Sequence, residues 1–333
     1  MDEEFKNNLL KNDFNEILGQ DSVKKQLKSA LLMDRHIILV GPPGVGKTTI
    51  AKNILEFIPE KTVNDCQFHC SPEDIYTMCP NCRENGKKQN KIKLKKEDLF
   101  IRVQGSPDLT AEDLIGDIDP IKALKYGPLS IEAFTPGKIF KANNGILFFD
   151  EINRCSEKLQ NALLQVLEEK KVTIGSYNID FKSEFLFIGT MNPEDTSTEP
   201  LSDVFLDRFD LIYMTYPESE EIEQKIVEMK SKQIVNCPLE LRNLIVKIVR
   251  NLRNDERLEK KPSVRATIGI YERSQSNALV NKRKTVTIDD IKEVIASVLS
   301  HRIKLKPSVK YLETPEQLIK EEVEKTLKRG GYL

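Results

Sequence analysis

The chain has 333 residues, long enough for two folded units of ordinary size. Its 51 basic and 52 acidic side chains leave a formal net charge of −1, which excludes the global positive field that draws a protein to nucleic acid. No apolar run approaches the roughly 18 residues of a membrane span, and the N-terminus MDEEFKNNLLKNDF lacks a signal-peptide core, so a cytoplasmic protein with no membrane span is expected.

The first apolar run is HIILV (36–40), and GPPGVGKTT follows it directly before the helical pattern IAKNILEFI. Residues 41 to 48 fit GxxxxGK[ST] with a strand before and a helix after, the context that makes this motif specific. Successive backbone N–H groups of such a loop converge on phosphate, and the helix N-terminus adds partial positive charge. Gly41, Pro42, Pro43, Gly44, Val45, Gly46, Lys47, Thr48 and Thr49 are therefore the predicted nucleotide-binding residues. Lys47 is expected on the β- and γ-phosphates, and Thr48 on Mg²⁺.

A cysteine cluster comes next. Cys66, Cys70, Cys79 and Cys82 are spaced C-x3-C-x8-C-x2-C within an insertion over 60–98. Four thiolates suit a structural Zn²⁺ or an iron–sulfur cluster; packed reduced thiols and a redox-active disulfide are the alternatives, and the central gap is shorter than in common zinc ribbons. The basic run that follows, Lys87, Lys88, Lys91, Lys93, Lys95 and Lys96, reads as a solvated face, with contact to a partner's acidic surface or to nucleic acid as the sharper alternative. Cys155 and Cys237 have no partners nearby in sequence and read as structural.

LFIRV (99–103), GILFFD (145–150) and EFLFIGT (184–190) supply further buried strands. The third of the four apolar runs ends in Asp150-Glu151, which suit Mg²⁺ coordination and polarisation of the attacking water. The helix that follows, SEKLQNALLQVLEEKK, has Ser156 as its expected N-cap and places Leu159, Leu163, Val166 and Leu167 on one face. KKVTIGSYNIDFKSEFL alternates apolar and polar, with Gly175-Ser176 as a hairpin turn. After about Pro217 the pattern is mostly amphipathic helix. The fold class is thus α/β: a P-loop doubly wound parallel sheet over 1–216, with inserts at 105–145 and 171–184, then a C-terminal helical lid over 217–333.

These residues carry a resemblance. GPPGVGKTT, DLIGDIDPIKAL (113–124), FTPGKIFKANNGILFFDEIN (134–153), FLFIGTMNPED (185–195), LSDVFLDRFDL (201–211), SVRAT (263–267) and HRIK (301–304) resemble AAA+ ATPases, and among them subunit I of magnesium chelatase, with MoxR-type ATPases as next of kin. The resemblance implies ATP and Mg²⁺ as cofactors and gives Asn192 as the sensor that orients the lytic water with Glu151. It makes Arg208 an arginine finger donated across a subunit interface, Arg265 the lid's phosphate sensor, and Arg154 a second interface cation. It further implies a ring, a hexamer by family analogy, and a partner subunit with a von Willebrand A-type domain. The implied outputs are Mg²⁺ insertion into a tetrapyrrole by that assembly, or MoxR-type remodelling of a partner enzyme. A nucleic-acid translocase and a non-hydrolysing nucleotide switch are the remaining readings; near-neutral charge speaks against the first, and the presence of Glu151, Asn192 and Arg208 against the second.

Overall fold

The computed structural model describes residues 2–73, 75, 78–128, 130–174, 179–195 and 201–331. They form two compact units, one of Met1–Ile17, Asp21–Gly41 and Gly46–Met214, the other of Leu18–Gln20, Pro42–Val45 and Thr215–Leu333.

Five strands make the sheet of the first unit: β1 (Ile37–Val40), β2 (Phe100–Gln104), β3 (Ile146–Asp150), β4 (Leu186–Met191) and β5 (Asp210–Tyr213). All neighbours pair in parallel in the order β5-β1-β4-β3-β2. The β1, β3 and β4 stretches are Ile-, Leu-, Val- and Phe-rich because helices cover both faces of such a sheet, and every residue of β1 is buried. The register aligns the carboxyl ends: Val40 lies opposite both Met191 and Tyr213, Gly189 opposite Phe149, and Gln104 opposite Asp150. Ligands of open α/β sheets bind at this edge.

The helix Glu157–Glu169 buries Leu159, Leu163, Val166 and Leu167, the predicted face. Ser156 occupies its N-cap position with extended backbone, but its side chain makes no capping bond. The 105–145 segment folds as a helix Ala111–Ile115, a ladder of Gly116–Ile118 with Phe134–Pro136, and helices Pro120–Tyr126 and Lys138–Lys141. Lys171–Ile174 and Ile179–Lys182 pair antiparallel, as the alternation predicts, while the turn Gly175-Ser176 lies outside the described residues.

The second unit is chiefly helical: Glu220–Lys230, Leu239–Asn254, Val264–Val280, Ile288–Leu299 and Pro315–Arg329 enclose a core that includes Ile245, Ile248, Ile270, Ile295 and Leu318. A two-stranded ladder of Leu258–Lys260 with Lys304–Leu305 joins it, an element the helical periodicity did not announce. Inside, Glu223 is fully buried and accepts two bonds from Arg253, at 2.8 and 3.0 Å, and one from Thr267 Oγ1 at 2.7 Å. These bonds offset the cost of placing charge out of water.

Candidate functional site

Strand β1 ends where Gly41 donates its N–H to the Met191 carbonyl at 3.1 Å, so the phosphate-loop sequence leaves the sheet beside the end of β4. Gly46 turns the chain into the helix Lys47–Leu55 with φ of 101°, a conformation that a side chain would strain. Lys47 Nζ folds back onto the Gly41 carbonyl at 2.6 Å, and residues 42–49 are half-buried, leaving the loop reachable by a ligand. Pro42–Val45 group with the second unit, and there Gly44, with φ of 77°, lies against Ser263 and Arg265: a Cβ at Gly44 would stand 2.9 Å from Ser263 and 3.4 Å from Arg265 Cγ. Arg265 itself is exposed, in the first turn of Val264–Val280.

The acidic pair is organised by one hydroxyl. Thr190, in β4, donates Oγ1–H to Asp150 Oδ1 at 2.6 Å and accepts the Glu151 backbone N–H at 2.9 Å. Glu151 sits in the left-handed region, with φ of 58° and ψ of 51°. A non-glycine residue held there costs about 1–3 kcal/mol and marks a position fixed by its surroundings. Its carboxylate accepts from Gln104 Nε2 at 3.0 Å and pairs with Arg154 at 3.3 Å; Arg154 also holds Asp195 at 2.8 Å. The Asp150 carboxylate meets Arg102 at 2.7 Å. Asn192 follows β4 directly, where its Oδ1 accepts the Glu194 N–H at 3.2 Å.

The sheet thus brings Lys47, Thr48, Asp150, Glu151 and Asn192 to one edge. Arg208 is placed differently. It follows the helix Asp203–Leu206 and is held by Glu168 and by Asp207 at 3.5 Å. Among the residues that contact the acidic pair, sequence reasoning missed Gln104, Arg102 and Thr190. The signal available was their position: Gln104 ends the strand after LFIRV, and Thr190 precedes MNPED.

The four cysteines converge. Their Sγ atoms all lie within 4.8 Å of one another, with Cys70, Cys79 and Cys82 buried and Cys66 half-buried. The Cys70 N–H points to Cys66 Sγ at 3.5 Å and the Cys79 N–H to Cys70 Sγ at 3.2 Å. Thiol hydrogen bonds from Cys70 and Cys79 favour a thiolate at Cys66, while burial pushes Cys82 up to about 12. Cys155 and Cys237 are buried singly, and burial raises each to about 11, as suits thiols that only pack. In the basic run, Lys93 pairs with Glu60 at 2.5 Å and Lys96 with Glu56 at 3.1 Å, in keeping with a solvated face.

Three family models match this chain: ATPase family associated with various cellular activities (AAA) over residues 86–211, AAA lid domain over 250–322, and Magnesium chelatase, subunit ChlI over 13–81. The chain is 30% identical to the magnesium-chelatase subunit ChlI homolog of Methanocaldococcus jannaschii, across 94% of this chain and 90% of that one. It is an AAA+ ATPase of the magnesium-chelatase subunit I family. This AAA+ ATPase is also 28% identical to the chaperone MoxR1 of Mycobacterium tuberculosis, over 87% of this chain and 73% of that one. A RuvB mutant from Thermotoga maritima shares the fold, with a TM-score of 0.52 at 19% identity, over 86% of this chain and 72% of that one. The parallel sheet and helical second unit of this AAA+ ATPase are those of a P-loop core with a lid domain. ATP and Mg²⁺ follow from family membership, and no helix among the described residues is long and apolar enough to cross a membrane.

Proposed function

We propose that this AAA+ ATPase is the motor of a ring, a hexamer by family analogy, that converts ATP hydrolysis into remodelling of a partner subunit. The observation that carries this reading is the Thr190 bridge, which fixes Asp150 and Glu151 together at the strand edge that also presents the Lys47 loop. Lys47 and the loop N–H groups bind the phosphates, Arg265 reaches them from the lid domain, and Thr48 with Asp150 holds Mg²⁺, which supplies charge neutralisation when bound. Glu151 takes a proton from the water as its oxygen bonds to the γ-phosphorus, and the bond to the β,γ-bridging oxygen breaks to leave ADP. Asn192 orients that water. Arg208 of a neighbouring protomer stabilises the transition-state charge, a contribution of about 10³–10⁵ in rate where such fingers have been measured.

The partner is a subunit with a von Willebrand A-type domain, and the output is metal insertion into a tetrapyrrole bound elsewhere in the assembly. Similarity to the chaperone MoxR1 supports a second reading, remodelling of a partner enzyme by a MoxR-type chaperone. Cys66, Cys70, Cys79 and Cys82 hold a resident metal, as their convergence suggests, and the assembly works in the cytoplasm. Glu151→Gln tests the active-site reading: ATP binding is retained while turnover falls by about 10²–10⁴. Retained turnover in this variant would remove Glu151 from the mechanism.

A further inference from the structure

We propose that Cys66, Cys70, Cys79 and Cys82 bind a single tetrahedral Zn²⁺, and that this ion is a staple which joins the 105–145 insert and the ladder of Lys171–Ile174 with Ile179–Lys182 into one body. The inference deepens the resident-metal part of the function proposed above and rests on it.

Geometry selects a mononuclear tetrahedral site over a cluster, and zinc is the usual occupant of a closed four-thiolate site. A Zn–S distance of about 2.3 Å puts the sulfurs of a tetrahedron roughly 3.8 Å apart, which four Sγ atoms lying within 4.8 Å of one another can meet by small rotamer adjustments. An iron–sulfur cluster spreads its thiolates over two or more irons and needs a wider opening. A disulfide would join two sulfurs and leave the other two thiols in the same buried cluster. Backbone N–H groups of Cys70 and Cys79 already face ligand sulfurs, as outer donors to metal thiolates do. Three buried ligands make a closed site, the structural kind.

The role follows from what the ligands carry between them. Phe68 stands between Cys66 and Cys70. Its ring stacks on Phe181 of that ladder at 4.6 Å, lies parallel to Phe134 at 6.3 Å, and meets Phe140 edge-on at 5.2 Å. Phe134 and Phe140 belong to the 105–145 insert, so one ring touches both insertions. Asn143 Nδ2 donates to the Phe68 carbonyl and Asn144 Nδ2 to the His69 carbonyl, each at 3.2 Å. Among the described residues, the secondary structure that frames this loop is the ladder of Lys61–Asn64 with Lys91–Leu94, the six-residue helix Pro80–Asn85 and the single 3₁₀ turn Gly86–Lys88. A two-stranded ladder is marginal by itself. Metal binding, which displaces the thiol protons, supplies the missing cross-link.

Elemental analysis of the purified full chain is expected to find one zinc per chain, and replacement by Co²⁺ to give the visible bands of a tetrahedral thiolate site. Iron, with or without sulfide, or four freely titrating thiols with no metal, would overturn the assignment. Phe68→Ala keeps the zinc but speeds amide exchange over 134–143 and 179–182 roughly tenfold; stripping zinc from the wild type with a chelator and a thiol reagent does the same. Unchanged exchange in both would overturn the staple. None of these readouts uses turnover, so a failure of the motor reading is scored separately by ATPase assay.

Discussion

Gln104 donates its side-chain amide to Glu151, Nε2 to Oε2 at 3.0 Å, across the adjacent ends of β2 and β3. The bond selects one direction for a carboxylate that the left-handed backbone of Glu151 already constrains. If Glu151 is the base, Gln104 is a positioning residue. Gln104→Leu is expected to lower kcat roughly tenfold with the KM for ATP little changed, the mark of misorientation rather than lost binding. Steady-state kinetics checks this; a rise in KM alone would show that Gln104 serves ground-state binding.

Arg102 competes for the other acid. Its guanidinium lies 2.7 Å from Asp150 Oδ2, on a half-exposed side chain. Such a pair is worth at most about 1 kcal/mol, and a metal ion claiming Asp150 has to displace it. Arg102→Met should therefore lower the Mg²⁺ concentration for half-maximal ATPase activity, by up to about fivefold. An unchanged or higher requirement would mean that Asp150 does not meet the ion.

The lid's buried ion pair is a stability element. Burial alone would raise the Glu223 carboxyl, yet the Arg253 guanidinium, the Thr267 hydroxyl and Arg250 together outweigh it and hold the group below its usual range. Glu223→Ala strands Arg253, which is 5% exposed, without its carboxylate, and is expected to cost about 3–5 kcal/mol in urea unfolding of the lid transition. Glu223→Leu with Arg253→Met should recover most of that loss, since it removes the buried pair and leaves Arg250, the third charge at this site, on the Pro217, Glu218 and Ser219 carbonyls. Equal destabilisation by the double and single variants would contradict this account.

His36 gives the core a pH dependence. Burial first, then the nearby Lys170, hold its imidazole down to about 4, and its Nδ1 accepts the Phe187 N–H at 3.1 Å, which requires that nitrogen unprotonated. The unfolded chain, with an ordinary value of 6.5, binds the proton first. Stability is therefore full above about pH 6.5 and falls as pH drops toward 4, by roughly 3 kcal/mol in all. His36→Asn keeps an acceptor for Phe187 and should flatten the pH 7 to 5 slope of denaturant unfolding. An equal slope in wild type and variant would assign the effect to other groups.

Much of this architecture was legible in the sequence because its signals are local. The phosphate loop declares itself by composition and context, and continuous apolar runs such as IILV and ILFF announce a sheet covered on both faces. Contacts set by register were not legible. That Gln104 faces Asp150 across a ladder, or that Thr190 bridges two acids from a third strand, depends on strand order. The cysteine spacing gave the ligand set without its convergence, and Phe68 looked like one more apolar residue until the stacking placed it between two insertions.

The central claim is an active site completed between protomers, and Arg208, paired in its own chain with Glu168 and Asp207, is the residue on which it turns. The most direct measurement is ATPase turnover of Glu151→Gln, of Arg208→Ala, and of an equimolar mixture of the two, over a range of protein concentrations. The account predicts that each variant alone is nearly inactive, that the mixture recovers activity, and that dilution abolishes it. Normal hydrolysis by Arg208→Ala, unaffected by dilution, would contradict the account and leave an active site complete within one chain.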